Sequence, residues 1–373
     1  MCTINEIEVI DFRLDEAALV GELFHTHWRS NHIFFRCPEM LLWYCFRNPY
    51  AKLFSKGLTV KGAYHYNKLI GFFAYFPFLL NKHGKRGYGV HTAQWYSYPE
   101  HRGKSVGLKL LNSVWDVSLL DVCFALGNND GARTIFKKWN WTFIDLWPRY
   151  ILVLDKERCR HFAANDNKLI TYLDRFSIPH FTRKAEHLVK IEEPISIKGL
   201  AWDNFYWNEF AHISIGPARE EQYLLWRYED IPLFNYRYIS AHKGGFIKGL
   251  LVYRIEKVSA TQEKIIHILE FISTLQCSGP LLDQLIDISL MEKAVFVDFF
   301  CTSRLYESIL FERGFILDNL DNHYTLPYLF RPLDTNRLTL DLAWKTSGAR
   351  WQPGQGWEDL YLTKGDGFHD VPN

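Results

Sequence analysis

Apolar and polar residues alternate from Ile7 to Phe12, and the spacing predicts a first strand. A helix follows over Glu16 to Trp28, and another begins after Pro38, which suits a first helical position. Leu58 to His65 and Leu69 to Leu79 read as strands joined at Tyr66-Asn67-Lys68. A turn from Asn81 to Gly87 then leads into a central strand over Val90 to Ser97. Pro99 closes that strand. The turn Arg102-Gly103-Lys104-Ser105-Val106-Gly107 passes straight into an amphipathic run with Val106, Leu108, Leu110, Leu111, Val114 and Trp115. A short apolar strand, Val122 to Leu126, ends in Gly127-Asn128-Asn129. A short helix from Gly131 to Trp139 then leads to Asn140-Trp141 and another strand. Residues 1–154 thus read as one complete α/β unit, and the mixed, charged stretch 155–197 as a connecting segment.

The second half repeats the first. Leu41-Leu42-Trp43 with Pro49 recurs as Leu224-Leu225-Trp226 with Pro232, at an offset of 183. Gly71 to Tyr75 recurs as Gly249 to Tyr253 at 178, His91 and Trp95 as His267 and Phe271 at 176, and Asn140-Trp141 as Gly314-Phe315 at 174. Chance matches would scatter, whereas a steadily shrinking offset fits one unit copied and then trimmed in its loops. The second unit, 198–340, has Ser273 to Pro280 where the first has its basic glycine turn, and it lacks arginine and lysine there. It reads as a degenerate copy. Residues 341–373 form a tail rich in glycine, proline and polar residues. Trp351, Trp357 and Tyr361 punctuate it, and aromatics at that density predict an ordered tail packed on the body.

A glycine turn feeding a helix leaves backbone N–H groups at the positive end of the helix dipole, a geometry that binds phosphate or pyrophosphate. An ordinary strand–turn–helix joint is the other reading of the hexapeptide taken alone. The balance of 43 basic and 42 acidic residues, net +1, sets up no global field for nucleic acid or an anionic membrane. The seven cysteines are scattered, odd in number and without a C-x-x-C pair, as expected of reduced thiols in a cytoplasmic protein that holds no metal. The N-terminal dozen residues lack the pattern of a secretory signal, and the longest apolar run, Gly71 to Leu80, is too short to span a bilayer.

From Gln94 to Asp145 the order of strand, glycine turn, helix, strand, Asn129-x-x-Ala132 helix and Asn140-Trp141 strand start resembles the GNAT superfamily of N-acetyltransferases. The resemblance covers about fifty residues closely and the preceding part more loosely. It implies an α/β fold of two GNAT-like domains in tandem, each a mixed sheet with splayed central strands flanked by helices. It also implies an acyl-CoA co-substrate on Trp95, Tyr96, Ser97, the loop Arg102, Gly103, Lys104, Ser105, Val106 and Gly107, and the Asn129, Ala132 and Phe136 helix. Two positions depart from the family pattern. Ser105 stands where glycine is usual, and Phe136 stands where many members carry a tyrosine placed to protonate the leaving thiolate.

The chemistry asked of such a site is to polarise a thioester and take a proton from an amine. His91 lies at the acceptor-side start of the central strand, with an imidazole able to accept that proton without a large pKa shift. A hydrogen-bonded core histidine is the alternative. Gln94 is close by, on the opposite strand face if the pleat is regular. Glu270 and Asp298 fall on apolar strands and need partners there, and Asp366, with His369 and Asp370, sits in the tail. Glu270 and Asp366 are candidates for the base, Asp298 and His369 for acceptor contacts. Lys82, Lys85 and Arg86 could meet an acceptor's phosphates, or else form a solvated hairpin tip.

The double unit, the repeated Leu-Leu-Trp with proline, and the Thr363-Lys364-Gly365-Asp366 ending are similar to the N-acyltransferases of bacterial polysaccharide and O-antigen (lipopolysaccharide) synthesis. That resemblance implies acetyl- or 3-hydroxybutanoyl-CoA as donor and a nucleotide-linked (dTDP-type) deoxyamino sugar as acceptor, and it is compatible with a homo-oligomer. The alternatives are a peptidoglycan-type aminoacyl transferase, against which the balanced charge counts, and a non-catalytic acyl-CoA-binding protein.

Overall fold

The computed structural model describes residues 7–145, 147–162, 173–174, 189–258, 261–318, 326, 341–347 and 359–367. The strands, in chain order, are β1 (Ile7–Asp11), β2 (Val60–His65), β3 (Lys68–Lys82), β4 (Lys85–Ser97), β5 (Val122–Leu126), β6 (Thr142–Ile144) and β7 (Arg149–Val153). There follow β8 (Val189–Glu192), β9 (Ile215–Pro217), β10 (Arg237–Lys243), β11 (Phe246–Lys257), β12 (Lys264–Ser273), β13 (Ala294–Phe300), β14 (Ile316–Leu317) and β15 (Leu342–Thr346). One sheet runs β1-β2-β3-β4-β5-β15-β6, with β9 on the end of β3. The other runs β8-β10-β11-β12-β13-β7-β14. The architecture is mixed α/β, as the sequence pattern implied.

Strand for strand the two orders match, with one exchange. β7 comes from the first half and inserts antiparallel to β13 in the second sheet. β15 comes from the tail and inserts antiparallel to β5 in the first. The expected division at residue 154 therefore does not separate the sheets. Nor is 155–197 only a connector, because β8 is the edge strand of the second sheet, paired with β10. The tail is a structural part of the first sheet through β15. Of its aromatics, Tyr361 is buried, whereas Trp351 and Trp357 lie outside the described residues.

Why these segments take these places follows from their pattern. β3 is buried without interruption from Ile70 to Asn81, the mark of a strand covered on both faces rather than one. On one face, Val106, Leu110, Leu111 and Val114 of α3 (Val106–Trp115) and Phe136 of α4 (Asp130–Lys138) join Phe73, Tyr75, Val90 and Cys123. The other face carries α1 (Ala17–Leu23) and α2 (Pro38–Cys45), and its core continues into the second half. The expected turn from Asn81 to Gly87 is tighter than the composition suggested. Lys82 pairs with Lys85, so only His83 and Gly84 turn, both at positive φ (51° and 81°).

Both central strands are bulged at the same place. Between the pairs Phe73↔Trp95 and Tyr75↔Thr92, β4 carries one residue more than β3. Between Leu251↔Phe271, Val252↔Glu270 and Tyr253↔Ile268, β12 carries one more than β11. With Gly71↔Ser97 matching Gly249↔Ser273, the bulges align His91 with His267 and Gln94 with Glu270.

Candidate active site

β4 and β5 are parallel and share a ladder only from Gly89↔Val122 to Thr92↔Ala125, after which β4 runs on to Ser97 without a partner on that side. A cleft of about 1110 Å³ opens there. It is lined by β4 from His91 to Ser97, by the turn after it, by Leu126 and the Gly127-Asn128-Asn129 turn that follows β5, by the Ala132–Phe136 face of α4, and by Asp366 and Gly367 of the tail. Of the loop expected to hold pyrophosphate, Arg102, Gly103, Ser105, Val106 and Gly107 line this cleft, and Lys104 does not.

Each wall has a local cause. Ser105 precedes α3 with φ of 62°, so the residue that replaces glycine holds the left-handed conformation glycine would adopt freely. Gly107 leaves room for Trp95: a Cβ there would lie 2.7 Å from the indole. Asn129 caps α4, its Oδ1 accepting from Ala132 N at 2.9 Å, which is the physical content of the Asn-x-x-Ala spacing. The tail braces the same turn, since Asp341 accepts from Asn128 N at 2.7 Å and from Arg133 at 2.5 Å. Phe136 is buried between Trp95 and Trp141, with ring centroids at 5.9 and 4.2 Å, and has no proton to give.

The extra residue in β4 reverses the parity of the pleat, so Gln94 lines the same cleft as His91 instead of the opposite face. Both are buried, and among the described residues neither ring nitrogen of His91 nor Oε1 of Gln94 has a hydrogen-bond partner; the same holds for Trp95 Nε1. Unmade hydrogen bonds on a cleft wall are open to water or to a ligand's polar groups. His91 differs from expectation in one respect. Burial, then the charge of Arg219, lowers its pKa to about 3, so it stays neutral and is a weak proton acceptor.

Sequence reasoning missed Arg219, which has no exposed surface. Its Nε donates to Glu270 Oε1 at 2.9 Å and its Nη2 to Asp366 Oδ2 at 2.5 Å. Nothing around Pro217-Ala218-Arg219-Glu220 distinguishes it in sequence from a solvated arginine. Neither carboxylate has exposed surface: Glu270 does not line the cleft, and Asp366 lines it through its main chain. Burial raises the pKa of both carboxylates against the opposing pull of Arg219.

The other candidates lie elsewhere. Asp298 bonds Arg149 at 2.9 and 2.6 Å and pairs with His267 inside the second sheet, which accounts for its burial without an acceptor. Lys82 pairs with Asp121 at 2.9 Å, Lys85 is exposed at the hairpin tip, and Arg86 lies 4.5 Å over the Trp207 ring. None of the three lines the cleft. His369 and Asp370 are outside the described residues.

The corresponding gap in the second half is closed. There only Thr274 separates β12 from α5 (Leu275–Met291), against residues 98–105 in the first half, so no loop can form. Tyr361 Oη bonds both N (3.1 Å) and O (2.9 Å) of Phe271. Tyr306 Oη does the same for Ser273, at 2.7 and 2.9 Å. These are the counterparts of Trp95 and Ser97, which line the open cleft. Among the described residues no helix is long and apolar enough to cross a membrane, and no group of three or more His, Cys, Asp or Glu is arranged to hold a metal ion.

The first half has splayed parallel strands, a bulged central strand and a glycine turn at a helix start, the fold of the GCN5-related N-acetyltransferases, and the second half repeats its sheet and bulge without the turn. Solved structures share it. A probable N-acyltransferase from Enterococcus faecalis has a TM-score of 0.56 at 14% identity, covering 90% of this chain and 72% of that one. A GCN5-related N-acetyltransferase from Anabaena variabilis has 0.55 at 10%, covering 84% and 70%. The Saccharomyces cerevisiae N-myristoyltransferase with bound myristoyl-CoA has 0.51 at 10%, covering 95% and 81%. At these identities the likeness is one of fold. No family model and no curated protein matches the sequence.

Proposed function

We propose that this chain moves an acyl group from an acyl-CoA to the amino group of a small acceptor, a nucleotide-linked deoxyamino sugar. The observation that carries the reading is the single cleft joining the Arg102–Gly107 turn to His91, Gln94 and Asp366 past a helix N-terminus. Its walls suit the donor: backbone N–H groups at the start of α3 for pyrophosphate, and the free edge of β4 at Trp95 and Ser97 for an amide-bearing arm. The sugar and the acyl chain, acetyl or 3-hydroxybutanoyl, rest on the sequence resemblance and on the Thr363–Asp366 turn, of which Asp366 lines the cleft.

The residues divide the work by their charge states. Neutral His91 and Gln94 orient the amine through their unmade hydrogen bonds. Asp366 meets the cleft through its main chain, its carboxylate having no exposed surface and being turned onto Arg219, so the proton lost as the carbon–nitrogen bond forms is left to water in the cleft. Phe136 contributes shape alone.

The test is incubation with acetyl-CoA or 3-hydroxybutanoyl-CoA and a panel of nucleotide-linked amino sugars, read as free thiol release. Release with a sugar nucleotide supports the reading. Release only with other amines keeps the reaction and removes the sugar. Binding of acyl-CoA with no release for any amine would overturn it in favour of a non-catalytic binder.

A further inference from the structure

Aligned through their bulges, Gln94 and Glu270 occupy one position in two copies of the same strand. In the first half that position faces an open cleft. In the second, where Tyr306 and Tyr361 occupy the counterpart of the donor's place, the same position holds a carboxylate turned onto Arg219. The guanidinium spans three segments. Nε reaches Glu270 on β12, Nη2 reaches Asp366 in the tail at 2.5 Å, and Nη1 reaches Pro217 O at 2.6 Å, at the end of β9, which is hydrogen-bonded to β3 of the first sheet.

We infer that Arg219 is a positioning residue, anchored on Glu270 of the second half, that grips the buried Asp366 carboxylate and so holds the tail turn, whose Asp366 and Gly367 main chain lines the first half's cleft. The inference rests on the acyl-transfer reading above and adds a role for the copy without a cleft of its own. Asp366 has further partners on both oxygens: Oδ2 also accepts from Thr363 N at 2.7 Å, within the turn. Oδ1 has Tyr223 Oη at 3.3 Å. Arg227 steadies the same turn through Gly365 O at 2.8 Å, and Tyr228 and Tyr361 face Glu270. A lysine in place of Arg219 would supply charge but not the planar fork that reaches two carboxylates and a carbonyl at once.

The experiment compares Glu270→Gln with Arg219→Gln/Glu270→Gln, which avoids leaving the guanidinium's first partner charged and alone. Three quantities are read: acetyl-CoA affinity by calorimetry, kcat with the acceptor found above, and hydrogen exchange of the peptide covering residues 359–367. The double variant should lose about a further tenfold in kcat and exchange about tenfold faster in that peptide, with acetyl-CoA affinity unchanged. Arg219→Lys, which keeps the charge, should move the same two quantities in the same direction. If the double variant matches Glu270→Gln in both, or Arg219→Lys behaves as wild type, Arg219 merely neutralises Glu270 and the inference is overturned. Failure of wild-type protein to bind acetyl-CoA would instead strike the acyl-transfer reading, and the exchange comparison would still decide the anchoring.

Discussion

Trp43 and Trp226 stack face to face across the two halves, with ring centroids 4.8 Å apart and planes at 17°. Each indole N–H donates to the other's main-chain carbonyl, at 2.7 and 3.0 Å. The reciprocity is that of an isologous contact, made here within one chain. Replacing Trp226 with Phe removes one donor and leaves the Trp43 carbonyl buried without it. The expected loss is about 1–3 kcal/mol, read by denaturant unfolding, and Trp43→Phe should cost a similar amount because the contact is symmetric.

Ser105 sits at φ of 62° ahead of α3 and makes no side-chain cap. Ser105→Gly should therefore stabilise the protein by about 1 kcal/mol in thermal or chemical unfolding, without weakening acyl-CoA binding. A β-branched residue there should do the opposite, and a destabilised Ser105→Gly would show that the hydroxyl serves the site.

Calorimetry should find one acyl-CoA per chain. In the second half the backbone groups that would meet a donor are held by Tyr306 and Tyr361, and the segment equivalent to the loop is helix. Tyr306→Phe should destabilise the protein by about 1–3 kcal/mol, because Ser273 N and O lose their partner, and it should not create a second binding site.

Stability should fall on the acid side for a reason that can be traced to single residues. His91 is lowered to about 3, chiefly by burial and then by Arg219. His32 is lowered to about 4, by burial and then by Arg29 and Arg36. The unfolded chain binds these protons near pH 6.5 and the folded chain does not. Their contribution is therefore complete above pH 6.5 and lost as pH falls towards 4 and 3, at about 1.4 kcal/mol per pH unit for each. Glu270, raised by burial, works in the other direction, stabilising at low pH and losing that contribution as pH rises through its folded value. Urea unfolding between pH 7.5 and 5 should show a shallower acid slope for His91→Gln by about 1.4 kcal/mol per unit. Equal slopes in the two proteins would contradict a neutral, buried His91.

Much of this was legible in the sequence, and the remainder has physical reasons for being hidden. The turn from Arg102 to Gly107 and the Asn129 cap are local, made by residues a few positions apart, so spacing announces them. The duplication was legible because Trp43 and Trp226 keep the residues around them. The parity of Gln94 was not, because a bulge adds one residue without changing composition. The destinations of β7 and β15 were hidden because two apolar strands of similar length carry no mark of which sheet they join. Arg219 was hidden because its burial depends on Glu270 and Asp366, 51 and 147 residues away.

The exchange of β7 and β15 bears on the history of the chain. Each half lends the other the strand that completes its sheet, the arrangement found when two identical subunits swap a terminal element. Joining two such subunits end to end would leave the swap in place and free one of the two clefts to change. Cutting the chain between the halves should thus yield two fragments that are insoluble when made alone and associate when made together, because each carries the other's missing strand and an open sheet edge of its own.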